Sequence, residues 1–220
     1  IRRAGEDVTR GSLVLRKGTV IRPAEVGVLA SLGISQVTAI RRPVVAVLAT
    51  GNELVDITQP LLAGKIYNSN TYSIAALVRH YGGIPRILGI ALDSEASLVT
   101  KLRQGLDADI LITSGGVSAG DYDIVKDILA KEGEITFWTV RMKPGKPLAF
   151  GAIKGADKKG NPRNIPHLGL PGNPVSSMVT FELFARPAIL KMMGKKKLAK
   201  PTVEAVVEDT IVNTDGRRVY

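Results

Sequence analysis

Residues 44–49 read VVAVLA, an unbroken apolar run rich in β-branched side chains. A strand covered on one face alternates apolar and polar positions, so a continuous run asks for cover on both faces. The next segments supply it. Across 70–83, Ile74, Leu77, Val78 and Tyr81 fall at the spacing of one helix face, and Gly82-Gly83 ends the helix by permitting a left-handed cap. RILGIAL (86–92) predicts a second strand; Asp93 or Ser94 caps the next helix, whose Leu98, Leu102 and Leu106 share a stripe. DILITS (109–114) predicts a third strand, and Ile124, Val125, Ile128 and Leu129 mark the inner face of a third helix. ITFWTV (135–140), LAFGAI (148–153) and HLGL (167–170) predict further strands, KGADKKGNPRN (154–164) an exposed loop, and 175–193 a last apolar helix. Strands alternating with crossover helices predict an α/β fold, a mainly parallel three-layer α/β/α sheet domain. The pair at 135–153 has no helix between its strands and is open to antiparallel pairing.

The flanks differ in character. GSLVLRKGTVI alternates in short stretches, Pro23 opens a brief helix to Leu32, Gly33 stops it, and ISQVTAI predicts a strand. After Pro201, TVEAVVEDTIV alternates like a half-buried strand, and DGRRVY carries an Asp-Gly hairpin signal. The expected organisation is therefore the end of an accessory domain at 1–42, the sheet domain at 43–194, and a linker with the start of a C-terminal β-barrel-like domain at 195–220. The missing initiator Met and the interrupted hairpin suggest a piece of a larger protein.

Composition narrows the functional classes. At 220 residues and 45% hydrophobic, the chain can bury one substantial core. It has neither an apolar run of about eighteen residues nor a signal-peptide core, so no membrane association is expected. The absence of cysteine excludes disulfides and thiolate metal sites and fits a reducing compartment, with the cytoplasm as the expectation. A net charge of +10 favours anionic partners. Base-stacking aromatics are sparse and the densest basic run, Lys195-Lys196-Lys197, sits in a linker, so nucleic acid is not expected and small phosphorylated or oxyanionic substrates fit better.

Four unusual loops follow strands, where open parallel sheets bind ligands. In SGGVSAGDYD (114–123), Gly115 and Gly116 allow close backbone approach, which makes a phosphate nest, although neither standard nucleotide fingerprint is present. Asp121 and Asp123 face the same way only in an extended segment; on a helix they serve as helix-start acids. KPGKP (143–147) places Lys143 and Lys146 around a Pro-Gly turn, an arrangement that suits an anion and equally a solvated turn. LPGNPVSS (170–177) joins the rigid Pro171-Gly172-Asn173-Pro174 turn to a helix start, where Asn173, Ser176 and Ser177 offer anion donors or ordinary caps. TGNE (50–53) supplies Glu53, which with Asp93 and Asp123 can hold a hard cation such as Mg²⁺ or serve as separate caps and surface acids. Of the histidines, His80 is expected on a polar helix face and His167 near the Pro171 turn; no zinc or serine-hydrolase spacing is present.

TGNEL, IYNSN, SGGVSAGDYD, KPGKPLAFG and GLPGNPVSS, in this order and spacing, closely resemble the molybdopterin molybdenumtransferase family, the MoeA type that includes the E domain of gephyrin. The resemblance runs from about Gly5 to Tyr220. It implies the last step of molybdenum cofactor assembly: adenylylated molybdopterin is bound, its phosphoanhydride is hydrolysed with a divalent cation, AMP leaves, and molybdate (or tungstate) is inserted at the dithiolene. Carried over by motif, Glu53 and Asp123 act as metal-binding catalytic residues with Asp93 a third. Thr50, Gly51, Ser114, Gly115, Gly116 and Ser118 would hold phosphate or pterin. Lys143, Lys146, Pro171, Gly172, Asn173, Pro174 and Ser176 would shape the oxyanion and substrate site. The resemblance also implies a homodimer. Two departures stand out: Ser94 where the family often has a second acid after Asp93, and Asn52 where aspartate is common. A related molybdopterin adenylyltransferase shares the sheet and glycine-rich loop, and a scaffold without turnover is the alternative from another class.

Overall fold

The computed structural model describes residues 3–116, 127–128, 131–157, 159–214 and 216–220. The chain forms two units, Ile1–Arg41 and Arg42–Tyr220. In the first, α1 (Pro23–Ser31) begins at a proline, and Glu25 folds back so that its carboxylate accepts the Arg22 backbone N–H at 3.0 Å and pairs with the Arg22 guanidinium at 2.7 Å. Gly33, at φ +72°, ends it as expected. The strand expected at ISQVTAI does not form. Its alternation is present, but among the described residues it has no partner strand, and Ile34, Val37 and Ile40 are exposed.

The second unit holds the sheet. Its strands are β1 (Val44–Thr50), β4 (Ile84–Ala91), β5 (Ile110–Ser114), β6 (Gly133–Thr139), β8 (Pro147–Ala156) and β9 (Pro162–Leu170), in the order β4-β1-β5-β9-β8-β6. β4, β1, β5 and β9 are parallel; β8 pairs antiparallel with both β9 and β6, as the missing crossover helix suggested. Two-residue ladders join β2 (Leu54–Val55) to β3 (Ile66–Tyr67) and β7 (Met142–Lys143) to β10 (Arg218–Val219). The loop expected over 154–164 is shorter than predicted. Lys154, Gly155 and Ala156 pair with Asn164, Arg163 and Pro162, leaving a turn closed by the Asp157 carboxylate, which accepts the N–H groups of Lys159 and Asn161.

The unbroken apolar character of β1 is explained by its two faces. Ala46 and Leu48 pack with Leu98 and Leu102 of α3 (Glu95–Arg103) and with Ile128, whereas Val45 and Val47 pack with Ile74 and Val78 of α2 (Ser69–His80) and with Phe181, Ala185 and Ile189. These last three lie on one continuous rod: α4 (Pro174–Thr180), a π-helical turn (Phe181–Ala185) and α5 (Arg186–Met192). Pro187 has no N–H to give the Leu183 carbonyl, and the widened turn just before it accommodates that gap. Residues 127–128 and 131–132 are helical, and Ile128 is buried as predicted; Ile124, Val125 and Leu129 lie outside the described residues. The strand expected from TVEAVVEDTIV is absent. Val203, Val206 and Ile211 are exposed and find no partner strand among the described residues. At the chain end, Arg218 and Tyr220 donate their N–H groups to Arg141 and Lys143 carbonyls, a parallel ladder where a hairpin was expected.

His167, on β9, is fully buried and bonds Thr113 Oγ1 through Nε2 at 3.1 Å. Burial pushes its pKa down to about 3 from 6.5. The unfolded chain takes up this proton first as pH falls, so the stability due to a neutral His167 is complete above about pH 6.5 and drains between there and about pH 3. Urea denaturation across that window should show a slope that His167→Gln removes in part. An unchanged slope in the variant would assign the titration to other groups.

Candidate functional site

β1 is followed by a crossover to β4 on one side, while β5 sits on its other side and the chain after it leads to β6 at the far edge. The crevice beyond the carboxyl ends of β1 and β5 is therefore the switch point of the sheet. A cavity of about 310 Å³ opens there. β1 contributes Ala49 and Thr50, and the following loop contributes Glu53 and Leu54. Ser114 and Gly115 come from β5, and Gly172, Asn173 and Pro174 from the turn after β9. The remaining wall runs from Ile66 to Asn70, through β3 into α2.

The TGNE loop is seated from both sides. Gly51 has φ +146°, and a Cβ on it would fall 2.5 Å from a Glu53 carboxylate oxygen, so the glutamate tip lies folded over bare backbone. The Glu53 carbonyl accepts the Ile66 N–H at 2.9 Å, which sets Glu53 beside the β2–β3 ladder. Asp93 does not project freely into the cavity. Its Oδ2 accepts the Asn52 N–H at 3.0 Å, and its own N–H donates to Asn52 Oδ1 at 3.1 Å. An aspartate at 52 would accept the same N–H, so the asparagine departure keeps the bracket intact. Asp93 Oδ1 is buried without a hydrogen-bond partner. α3 is capped at Ser94, without a side-chain cap bond.

The glycine turn and the PGNP turn meet at the cavity floor. Gly115, at φ +92°, lets the Thr50 carbonyl come within 2.5 Å of where its Cβ would stand, and its N–H donates to Leu170 O at 3.1 Å. Gly116 follows at φ +65°. Pro171 is buried, Asn173 Oδ1 accepts the Ser176 N–H at 3.1 Å, and α4 starts there. Ser176 thus takes part in an ordinary cap. Asn68 and Asn70 also line the cavity, and the sequence reading gave neither a role. Asn68 caps α2 by accepting the Thr71 N–H. Asn70 stands four residues before Ile74, so it continues an apolar stripe as a polar side chain; that mismatch is the signal that would have found it.

Lys143 and Lys146 are exposed and do not line the cavity. Lys143 belongs to β7, and its carbonyl accepts the Tyr220 N–H; the Lys146 carbonyl accepts the Val140 N–H. Their loop nevertheless abuts the rod after PGNP, because a Cβ on Gly145 would stand 2.5 Å from Thr180 Oγ1 and 3.6 Å from the Ser176 carbonyl. Ser118, Asp121 and Asp123 lie outside the described residues. Among the described residues, no group of three or more His, Cys, Asp or Glu side chains is gathered for a metal ion. His167 is in the core rather than in the cavity lining, and His80 is exposed as predicted.

The seat of Glu53 makes a stability prediction. Gly51→Ala should cost about 1–3 kcal/mol in urea denaturation, the scale of a side chain forced into a glycine-only torsion. The loss should persist in a Gly51→Ala, Glu53→Ala double variant, since the glutamate tip can swing aside and the torsion cannot. Full recovery in the double variant would instead place the cost in the Glu53 contact.

Comparison with known proteins follows this geometry closely. Residues 46–191 match the family described as the probable molybdopterin binding domain, and residues 1–33 match the MoeA N-terminal region, domains I and II. The molybdopterin molybdenumtransferase of Haemophilus influenzae is 42% identical over 202 residues, which are 91% of this chain and 48% of the relative. That of a Nostoc species is 40% identical over 210 residues, 94% of this chain and 47% of the relative. The chain thus spans about half the length of these curated relatives. Among solved structures, the molybdopterin biosynthesis MoeA protein of Pyrococcus horikoshii superposes with a TM-score of 0.72 at 30% identity, covering 87% of this chain and 46% of the other. The tungsten cofactor synthesizing protein MoaB of Pyrococcus furiosus, at 13% identity and a TM-score of 0.51, shares the fold. With the family match spanning the sheet from residue 46 onward and the switch-point cavity, the chain belongs to the molybdopterin-binding domain family, in the form found in molybdopterin molybdenumtransferases.

Proposed function

We propose that the chain carries the substrate-binding and catalytic domain of a molybdopterin molybdenumtransferase. In this reading adenylylated molybdopterin is bound, AMP is released in an Mg²⁺-dependent hydrolysis, and molybdate or tungstate is inserted at the dithiolene. One observation supports it above the rest: motifs far apart in sequence, TGNE, IYNSN, the Ser114-Gly115 turn and PGNP, close around one cavity of about 310 Å³ at the switch point. A cavity of that size, open at the strand ends, suits a planar heterocycle with its phosphate toward the turns.

The residues divide the work. Thr50, Ser114 and Gly115 offer hydroxyl and backbone contacts to the pterin or phosphate, and the neighbouring PGNP turn offers further backbone. Lys143 and Lys146, on the loop that abuts α4, take the oxyanion. Hard oxygen donors suit Mg²⁺, and Glu53 with Asp123 would hold it; the unpartnered Asp93 Oδ1 lies on the same loop system. A bound Mg²⁺ would neutralise charge on the departing phosphate. Asp93 supports Glu53 through its bracket on Asn52. The protein acts as a homodimer in the cytoplasm.

In the full-length protein, Mg²⁺ should stimulate AMP release from adenylylated molybdopterin, and Glu53→Ala and Asp123→Ala should each slow it by about a hundredfold. Rates at the wild-type level in both variants would remove the catalytic assignment. Adenylylation of free molybdopterin with ATP would point to the adenylyltransferase reaction instead, and no binding of molybdate or AMP by calorimetry to a scaffold.

A further inference from the structure

Asn70 is 8% exposed in the first turn of α2. Its Nδ2 donates to Ser114 Oγ at 2.7 Å and to the Gly172 carbonyl at 2.7 Å. Ser114 Oγ passes the bond on, donating to the Pro171 carbonyl at 3.4 Å. Two consecutive carbonyls of the PGNP turn are thereby drawn onto one Asn-Ser pair contributed by α2 and the end of β5. A trans peptide is planar, with C=O and N–H opposed, so pinning the Gly172 carbonyl turns the Asn173 N–H away from Asn70.

Stability alone does not account for an asparagine here. Asn70 Oδ1 is buried without a partner, a kind of vacancy that folded proteins seldom tolerate. An aliphatic side chain would extend the Ile74 and Val78 stripe with no Oδ1 to bury, but would take the donor from Ser114 Oγ and the Gly172 carbonyl. Places where a sequence breaks its own apolar pattern tend to be functional. Asn70 also cannot turn over to satisfy Oδ1 without giving up its bond to the Gly172 carbonyl, since two carbonyl-type oxygens would then face each other.

Resting on the functional reading above, we propose that Asn70 is a positioning residue of the molybdopterin site: it holds the PGNP turn in register with the Ser114-Gly115 turn so that both backbones meet the substrate together. It acts through Ser114 and Gly172 and does not itself touch reacting atoms.

The test uses the full-length protein with Asn70→Ala and Asn70→Asp. Without ligand, amide hydrogen exchange at Gly115 and Ser176, whose N–H groups donate to the Leu170 carbonyl and to Asn173 Oδ1, should rise about tenfold in Asn70→Ala, the scale of one lost buried hydrogen bond, while core amides of β1 keep their protection. KM for adenylylated molybdopterin should rise by a similar factor, with a smaller change in kcat. Asn70→Asp should be impaired at about pH 8 and recover toward about pH 6, because a carboxyl facing a carbonyl is held protonated more easily and then donates to Gly172 O. The wild type should show no such recovery. Unchanged exchange and KM in Asn70→Ala, or an Asn70→Asp pH profile parallel to the wild type, would overturn the proposal. If Asn70→Ala does not fold, the Asn70→Asp pH profile decides. If the wild type fails to turn over adenylylated molybdopterin, the functional reading falls, and the exchange measurement still decides the role of Asn70.

Discussion

Burial of β1 on both faces is the constraint from which the rest of the second unit follows. Because Val45 and Val47 need one layer and Ala46 and Leu48 another, helices must cover opposite sides of the sheet. The chain can do so only by leaving β1 in one direction and β5 in the other. A crevice opens between their ends as a geometric consequence. The core below it is mostly apolar, with His167 and Thr113 bonded to each other and one orphaned atom at His167 Nδ1, whereas several orphaned polar atoms collect around the crevice: Thr50 Oγ1, Asn70 Oδ1 and Asp93 Oδ1, with Ser177 Oγ and Thr180 Oγ1 on the helical rod that starts at its rim. Such atoms cost about 1–3 kcal/mol each when unpaired, so their concentration at the strand ends separates the part of the chain built for stability from the part built for contact.

The sequence was most legible where one segment carries its own evidence. The continuous run of β1 and the heptad-like stripe of α2 state their burial without reference to anything else. Alternation was less reliable, because it describes a strand that has found a partner. ISQVTAI and TVEAVVEDTIV have the pattern and no partner among the described residues, so they remain irregular; Lys154 to Ala156 lack the pattern yet pair with β9, because a hairpin register carries them along. The pairing of Met142–Lys143 with Arg218–Val219 joins residues far apart in sequence through two residues each, too short for any periodicity to reveal.

At the site, residue type was legible and division of labour was not. Glu53, Ser114, Gly115 and the PGNP turn were identified by motif and do share a cavity. Asp93, grouped with them as an acid, spends one oxygen on the Asn52 backbone, a partnership between two loops that no local spacing encodes. Asn70 was passed over for the opposite reason: its role depends on Ser114 and Gly172, which reach it only after the sheet is assembled.

The charges around the cavity set a further condition on any phosphorylated ligand. Among its described lining residues there is no lysine or arginine, and Glu53 contributes a carboxylate. A phosphate brought beside that carboxylate meets repulsion, stronger as water is excluded. The chain's net charge of +10 attracts the anion over distance but does not cancel a like charge at contact. Among the described residues, cations close to the cavity include Lys65, whose Nζ donates to the Asn52 carbonyl of the TGNE loop, and the lysines of KPGKP outside the cavity lining; in the proposed reading, a divalent cation held by oxygen donors adds to them. The loop that carries the lysines abuts the α4 side, where Gly145 faces Thr180 Oγ1 and the Ser176 carbonyl. On the β1 side, a glutamate folded over Gly51 makes electrostatic sense with a cation between it and the phosphate, and works against binding without one.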